Sequence, residues 1–205
     1  SEDLKPFYTL GVNVGMRTVD QLKPLTVQHE KEAIMAGITD YFHDKISADE
    51  INELLTTHGP KLQELIGGRA QALSADVRKK GDAFMEDYLA KNPGAVKTES
   101  GLIYNETATG TGESPAETST VTTHYHGTLI DGTVFDSSVN RGDPISFNLQ
   151  QVIKGWQEGI SMMKVGGKAT LVVPPELAYG DEGSPPAIGG GSTLTFEVEL
   201  LTVTP

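Results

Sequence analysis

Cysteine is absent from the 205 residues, which excludes a disulfide, a thiolate nucleophile and a zinc site built on thiolates. Positive charge is scarce. Lys and Arg number 16 against 28 Asp and Glu, a formal net charge of -12, and that balance argues against a nucleic-acid backbone or an anionic membrane as main partner. No run reaches the ~18 consecutive apolar residues of a membrane span. Ser1 is not followed by the basic segment and apolar core of a signal peptide, so the chain is expected either to be cytosolic or to have lost a targeting peptide. What the sequence does have is length enough to bury a core in one or two domains.

The two halves of the chain differ. Before residue 100 lie 12 of the 16 basic and 16 of the 28 acidic side chains, leaving 4 and 12 beyond it; glycine runs the other way, 8 before and 15 after. In the first half Tyr8, Gly11, Val12, Gly15, Met16, Val19 and Leu22 recur at three- and four-residue spacings, one apolar helix face closed by Pro24, and Ala33, Ile34, Gly37, Ile38, Tyr41 and Phe42 form a second. Ser47 and Glu50 have the spacing of a capping box. A long helical pattern then continues through Ile51, Leu54, Leu62, Leu65, Leu73, Val77, Phe84 and Leu89 to Asn92-Pro93-Gly94. Gly59-Pro60 within it is expected to kink or break it. The stretch from residue 61 to 91 would measure roughly 45 Å as one helix, and its charged last third reads as a solvated strut. The first 60 residues are short for a helical body that stands alone; association with a second copy is the economical remedy, and Gly11 and Gly15 would allow a close backbone approach.

The second half carries strand patterns over residues 102–107, 120–130, 133–136, 145–149, 169–173 and 193–203, with Asp131-Gly132 as a hairpin turn and a short helix over 157–163. This is an α+β chain: an all-helical N-terminal part, then an antiparallel sheet wrapped on one short helix. Several catalytic patterns fail. His124 and His126 share a strand face but have no third ligand in reach and read as solvated histidines. Gly166-Gly167-Lys168-Ala169-Thr170 has Met162 and Ala169 where a phosphate loop needs glycine and a hydroxyl. Gly159 to Met163 lacks the final glycine of a nucleophile elbow, and no paired carboxylates stand out. Asn105-Glu106-Thr107 is a sequon with meaning only in a eukaryotic secretory setting.

What remains is a set of aromatic and apolar residues near turns: Tyr125, Phe135, Phe147, Val152, Ile153, Trp156, Tyr179 and Phe196. Val121 to Gly127, Asp131-Gly132-Thr133-Val134-Phe135-Asp136-Ser137-Ser138, Val152-Ile153-Lys154-Gly155-Trp156, Leu177-Ala178-Tyr179-Gly180 and Phe196 to Leu201 together resemble, in order and spacing, the FKBP-type peptidyl-prolyl cis-trans isomerases. Tyr8-Thr9-Leu10-Gly11 with Gly15, Ala36-Gly37-Ile38 and the long helix before Ser100-Gly101-Leu102 resemble the N-terminal arm of the family's Mip-like branch. The resemblance implies a helical dimerisation domain over 1–60, a connecting helix and linker over 61–99, an isomerase domain over 100–205, and a V-shaped homodimer. It implies Trp156 as pocket floor, Tyr125, Phe135, Val152, Ile153, Tyr179 and Phe196 as walls, and Ile145 and Ile188 at substrate-binding positions. It also implies the Tyr179 hydroxyl and Ile153 amide as hydrogen-bond donors to substrate carbonyls, and Asp136 at the rim with Arg141 as its salt-bridge partner.

The chain departs from the family pattern at three places. Ile145 replaces an aromatic wall residue, Ser184 stands where some members have histidine, and Ala187-Ile188-Gly189-Gly190-Gly191 replaces a run ending in Ile-Pro-Pro, which is expected to leave that flap looser. The expected activity is peptidyl-prolyl isomerisation of unfolded or partly folded proteins, without metal or cofactor and with chaperone-like holding by the dimer. Macrolide inhibitors are implied ligands whose affinity depends on the three departures. The rival is a docking module that binds proline motifs without turnover; the joint presence of Phe135, Asp136, Trp156 and Tyr179 favours the enzyme. The resemblance suggests the bacterial envelope or periplasm after signal removal, with the cytoplasm as alternative. Since every implied pocket residue lies in 100–205, a fragment starting at Ser100 is expected to work alone on a short peptide.

Overall fold

The computed structural model describes residues 4–19 and 22–204, without the side chains of residues 16–18 and 23; the Met16 side chain of the expected first helix face is outside it. Packing divides the chain into two compact units, Ser1–Ala72 and Leu73–Pro205, with the division inside the third helix.

The first unit holds α1 (Lys5–Thr18), α2 (Gln28–Phe42) and the start of α3 (Ala48–Lys91). Pro6 in the first turn of α1 costs nothing because that amide has no helical partner. The capping box forms: the Ser47 amide donates to Glu50 Oε2 at 2.9 Å and the Glu50 amide to Ser47 Oγ at 3.3 Å. Arg69 ties α3 to the start of α2, its Nη2 donating to Glu30 Oε1 at 2.8 Å and its Nη1 to the Leu25 carbonyl at 2.9 Å. That pairing, with the Val27 amide, holds the Glu30 carboxyl well below the usual carboxylate range. Gly59-Pro60 does not interrupt α3, contrary to the expectation. Proline withholds one hydrogen bond from the Thr56 carbonyl, but Thr56 is exposed, so water serves that oxygen. Thr56-Thr57-His58-Gly59 just before the proline are poor helix formers, so it is Glu53-Leu54-Leu55 ahead of them and Lys61-Leu62-Gln63-Glu64-Leu65 after it that carry propagation through the defect.

The second unit is built on an antiparallel sheet of β1 (Val96–Lys97), β2 (Ile103–Ala108), β3 (Thr120–Leu129), β4 (Val134–Ser137), β5 (Ile145–Asn148), β6 (Lys168–Val173) and β7 (Leu194–Thr204). The order is β1-β2-β6-β7-β3-β4, with β5 also paired to β3. The hairpin closes at Asp131-Gly132: Asp131 Oδ1 accepts from the Thr133 amide at 2.9 Å, and Gly132 takes φ +85°. After the single turn α4 (Ser138–Arg141), the short helix α5 spans Lys154–Ser161, three residues earlier than its expected start, because the Ile153 carbonyl accepts from both the Trp156 and Gln157 amides.

The sheet is buried on both faces at β2 and β6. Leu102, Tyr104, Leu171 and Val173 join the main core around α5, whereas Ile103 and Val172, register partners in the ladder, pack with Met85 of α3 and with Phe84, Tyr88 and Leu89 beside it. Strands covered on both sides read as continuous apolar runs rather than alternating ones, which is why Leu171-Val172-Val173 has no polar break. The end of α3 is thus part of this unit's core.

Candidate functional site

The site forms where α5 meets the sheet. Gly159 presents no side chain to β6, and a Cβ there would come within 2.7 Å of Leu171 Cδ2; the helix lies flush on the strand and Trp156 sinks until only 6% of it is exposed. Three rings surround its indole. Tyr125 and Phe196, from β3 and β7, meet it edge-on with centroids 5.1 Å away at 76° and 79°, and Phe147 of β5 lies 5.1 Å away at 44°. Phe135 stands edge-on to Phe196 at 5.5 Å. Room for that pair comes from Gly127, where a Cβ would fall 2.8 Å from the Phe135 ring. Ile188 is buried in the same cluster, with Val152 and Ile153 packed against it. Edge-to-face pairs at these distances are the favoured aromatic geometry.

Polar groups at this cluster are of two kinds. Some are fully engaged: the Tyr125 hydroxyl donates to Asp136 Oδ2, Arg141 Nη1 pairs with Asp136 Oδ1, and Arg141 Nη2 donates to the Tyr125 hydroxyl at 3.0 Å. Partial burial alone would raise the Asp136 carboxyl, but the Tyr125 hydroxyl and the Arg141 guanidinium outweigh it and hold the group below its ordinary range. Burial, and then the bond to Asp136, push the Tyr125 phenol up. Others are open. The carbonyls of Val152 and Ile153 are taken, by the Gln157 side chain and the α5 amides, but the Ile153 amide has no partner among the described residues. The buried Trp156 Nε1 has none either. Tyr179 is 41% exposed with its hydroxyl unpaired among the described residues.

Of the residues singled out in the sequence, Tyr125, Phe135, Asp136, Arg141, Val152, Ile153, Trp156, Ile188 and Phe196 come together here. Tyr179 follows directly on Leu177 and Ala178, which pack against the cluster. Ile145 is 40% exposed. The ring that β5 brings to Trp156 is instead Phe147, two residues on; its place among the turn-associated aromatics was the available signal. Gly191, at φ +76°, lies so close to Ser74 that a Cβ would sit 2.6 Å from its carbonyl oxygen, and its amide donates to the Gly180 carbonyl at 2.8 Å. Glycine serves close approach there. His124 and His126 are half-buried, with their Nδ1 atoms 3.1 Å and 2.9 Å from the hydroxyls of Ser138 and Ser137.

Residues 111–201 match the family model of the FKBP-type peptidyl-prolyl cis-trans isomerases, and residues 4–105 match that of the domain amino-terminal to them. The isomerase FkpA of Escherichia coli is 40% identical over 210 residues, covering all of this chain and 77% of its own length. The chain belongs to the FKBP-type peptidyl-prolyl cis-trans isomerases. The FKBP-type 22 kDa isomerase of E. coli is also 40% identical, over 96% of this chain and 93% of its own. The crystal structure of E. coli FkpA superposes with a TM-score of 0.73 over the whole chain and 98% of its own. A peptidyl-prolyl isomerase from Pseudomonas syringae, 35% identical, gives 0.60 over 64% of the chain and 96% of its own. As in the FkpA structure, N-terminal helices precede an antiparallel sheet with a helix, and this chain is a peptidyl-prolyl cis-trans isomerase by that kinship.

Proposed function

We propose that the X-Pro bond turns in the aromatic box over Trp156. Rotation faces a barrier of roughly 18–20 kcal/mol because the amide loses resonance as it twists. No bond is broken, so binding the twisted amide better than either planar isomer is sufficient. The planar form is the more charge-separated one and water favours it; an apolar box of four rings removes that advantage. The pyrrolidine ring packs on the indole of Trp156. The Ile153 amide and the Tyr179 hydroxyl donate to substrate carbonyls, and Val152, Ile188 and Ile145 contact the flanking residues. Asp136 and Arg141 hold the Tyr125 ring as a wall. The observation that carries this reading is the unpaired Ile153 amide beside largely apolar walls whose acceptors, the Asp136 carboxylate and the Tyr125 hydroxyl, are already engaged with each other and with Arg141.

Clients in this reading are proline-containing stretches of unfolded or partly folded proteins, and the first helical unit joins two copies. In support, none of its described residues is buried within one copy, while Tyr8 and Phe42 are 75% and 81% exposed, an apolar surface beyond what a lone soluble body ordinarily shows. Two pockets in one dimer hold a client at several points and raise the effective concentration at each.

Trp156 is the single tryptophan, so its emission reports on the box alone. Titrating a prolyl tetrapeptide into the full chain is expected to change that emission with a midpoint matching the KM for isomerisation. Turnover that saturates with no change in emission overturns the assignment.

A further inference from the structure

The segment from Glu176 to Gly191 carries Tyr179 and Ile188 and is held by contacts that the isomerase box does not explain. Asp181, two residues after Tyr179, accepts at one carboxylate oxygen from Ser74 Oγ at 2.6 Å and from Arg78 Nε at 2.8 Å. The far end of the same guanidinium pairs with Glu176. Arg78 therefore bridges two carboxylates on either side of Tyr179, a task for a planar fork that an ammonium does not share. The segment's other end is tied to the same place. The Gly191 amide donates to the Gly180 carbonyl at 2.8 Å, and Gly191 packs against the Ser74 backbone with no space for a side chain. Within the segment Ser184 and Ile188 exchange both backbone bonds, at 2.8 Å and 3.1 Å. One turn of α3, with Ser74 buried and Arg78 beside it, meets both ends of the stretch that carries Ile188 of the box and the exposed Tyr179.

These contacts are poor candidates for simple stabilisation. The Asp181 and Glu176 carboxylates are exposed, and exposed ion pairs add little to global stability. What they restrict is the freedom of the segment between them, and a binding site whose wall is already ordered does not bear that ordering cost when substrate arrives.

We infer that Ser74 and Arg78 of α3 are positioning residues of the isomerase site, acting through Asp181 to hold the segment bearing Tyr179 and Ile188. The inference rests on the box over Trp156 being the site of rotation. It gives the long helix a part in catalysis that is separate from joining two copies.

The test uses the full chain and five variants, Arg78→Gln, Arg78→Lys, Ser74→Ala, Asp181→Asn and the double variant Arg78→Gln with Asp181→Asn. Trp156→Leu is measured beside them. Arg78→Gln is expected to raise KM for a prolyl tetrapeptide about three- to tenfold while kcat stays within about twofold, the split expected when ordering moves from the free protein to the bound one. The Gly191 and Ile188 amides are expected to exchange their hydrogens faster, with the melting temperature of the unit unchanged. The double variant is expected to fall well short of the sum of the two single losses, since the Arg78–Asp181 contact is common to both, and Arg78→Lys is expected to restore KM only in part. Unchanged KM and exchange in both Arg78→Gln and Ser74→Ala overturn the inference, as do losses that add in the double variant. If those variants behave as wild type while Trp156→Leu loses turnover, the clamp alone is wrong. If Trp156→Leu keeps full turnover, the box reading fails and the clamp with it.

Discussion

Replacing Ile153 by proline deletes its amide hydrogen and exchanges the isoleucine side chain packed against the box for a ring. Ile153 has φ -58° and ψ 148°, inside the range a proline ring imposes, and Val152 before it is extended at φ -110° and ψ 172°, close to what a following proline requires. The amide to be removed has no protein partner among the described residues, so no fold hydrogen bond is lost with it. The carbonyl of Ile153, which receives the first amides of α5, is kept. A substrate carbonyl left without its donor inside an apolar site costs about 1–3 kcal/mol. At 1.36 kcal/mol per decade this lowers kcat/KM by between about fivefold and about 150-fold. Ile153→Ala, which keeps the amide and removes the side chain, separates packing from hydrogen bonding. Both variants are assayed by protease-coupled cleavage of a prolyl tetrapeptide, with melting temperature as the check on folding. An Ile153→Pro protein that melts normally and turns over at least as fast as Ile153→Ala refutes the reasoning.

A fragment starting at Ser100 is expected to be far less stable than one starting at Leu73, because it lacks Met85, Phe84, Tyr88 and Leu89 over Ile103 and Val172. Losing a buried methionine alone costs ~2–5 kcal/mol, out of a total of about 5–15 kcal/mol; equal urea midpoints by Trp156 fluorescence contradict this. Tyr179→Phe removes one exposed hydroxyl and is expected to lower kcat/KM by a factor of a few up to about tenfold, the worth of one hydrogen bond; an unchanged value leaves Tyr179 as a wall only. The Asp136 carboxyl has its folded-state pKa lowered, so the Tyr125–Asp136–Arg141 arrangement is complete above the ordinary carboxylate range and is lost only as pH falls through that depressed value. Initial rates are therefore expected to be flat from about pH 8 down through the ordinary carboxylate pKa of about 4, as Asp136 stays ionised and Tyr125 protonated throughout; a step in rate at that ordinary pKa is the contrary result.

Most of the sheet was legible in the sequence for physical reasons, whereas the residues that gather on Trp156 were picked out by the family resemblance. The strands alternate because one face meets α5, Asp131-Gly132 is chemically suited to its turn, and the rings that gather on Trp156 lie at turns where a surface strand has little use for them. Two things were not legible. Leu102-Ile103-Tyr104 and Leu171-Val172-Val173 are apolar without a break, the mark of strands covered on both sides, but nothing local says that the second cover is α3, whose covering residues lie 14 to 19 positions upstream of Ile103 and more than 80 upstream of Val172. The charged surface of that helix pointed to a solvated strut, whereas Ser74, Gly81 and Met85 form a narrow buried seam on it. The continuity of α3 through Pro60 was likewise hidden, because local propensity prices a proline without knowing how much helix stands on either side. Ile145 and Phe147 share a strand face, and only packing tells which of the two meets the indole.

The central claim is that rotation occurs in the box floored by Trp156, and it is tested most directly by Trp156→Leu in the full chain. Leucine keeps the floor apolar but removes the broad surface on which the pyrrolidine ring lies, with a milder packing defect than alanine, whose cost is ~3–5 kcal/mol. Isomerisation of a prolyl tetrapeptide is measured on protein whose circular dichroism and cooperative melting match wild type. The account predicts a large loss of kcat/KM in that folded variant. Wild-type turnover in it contradicts the account.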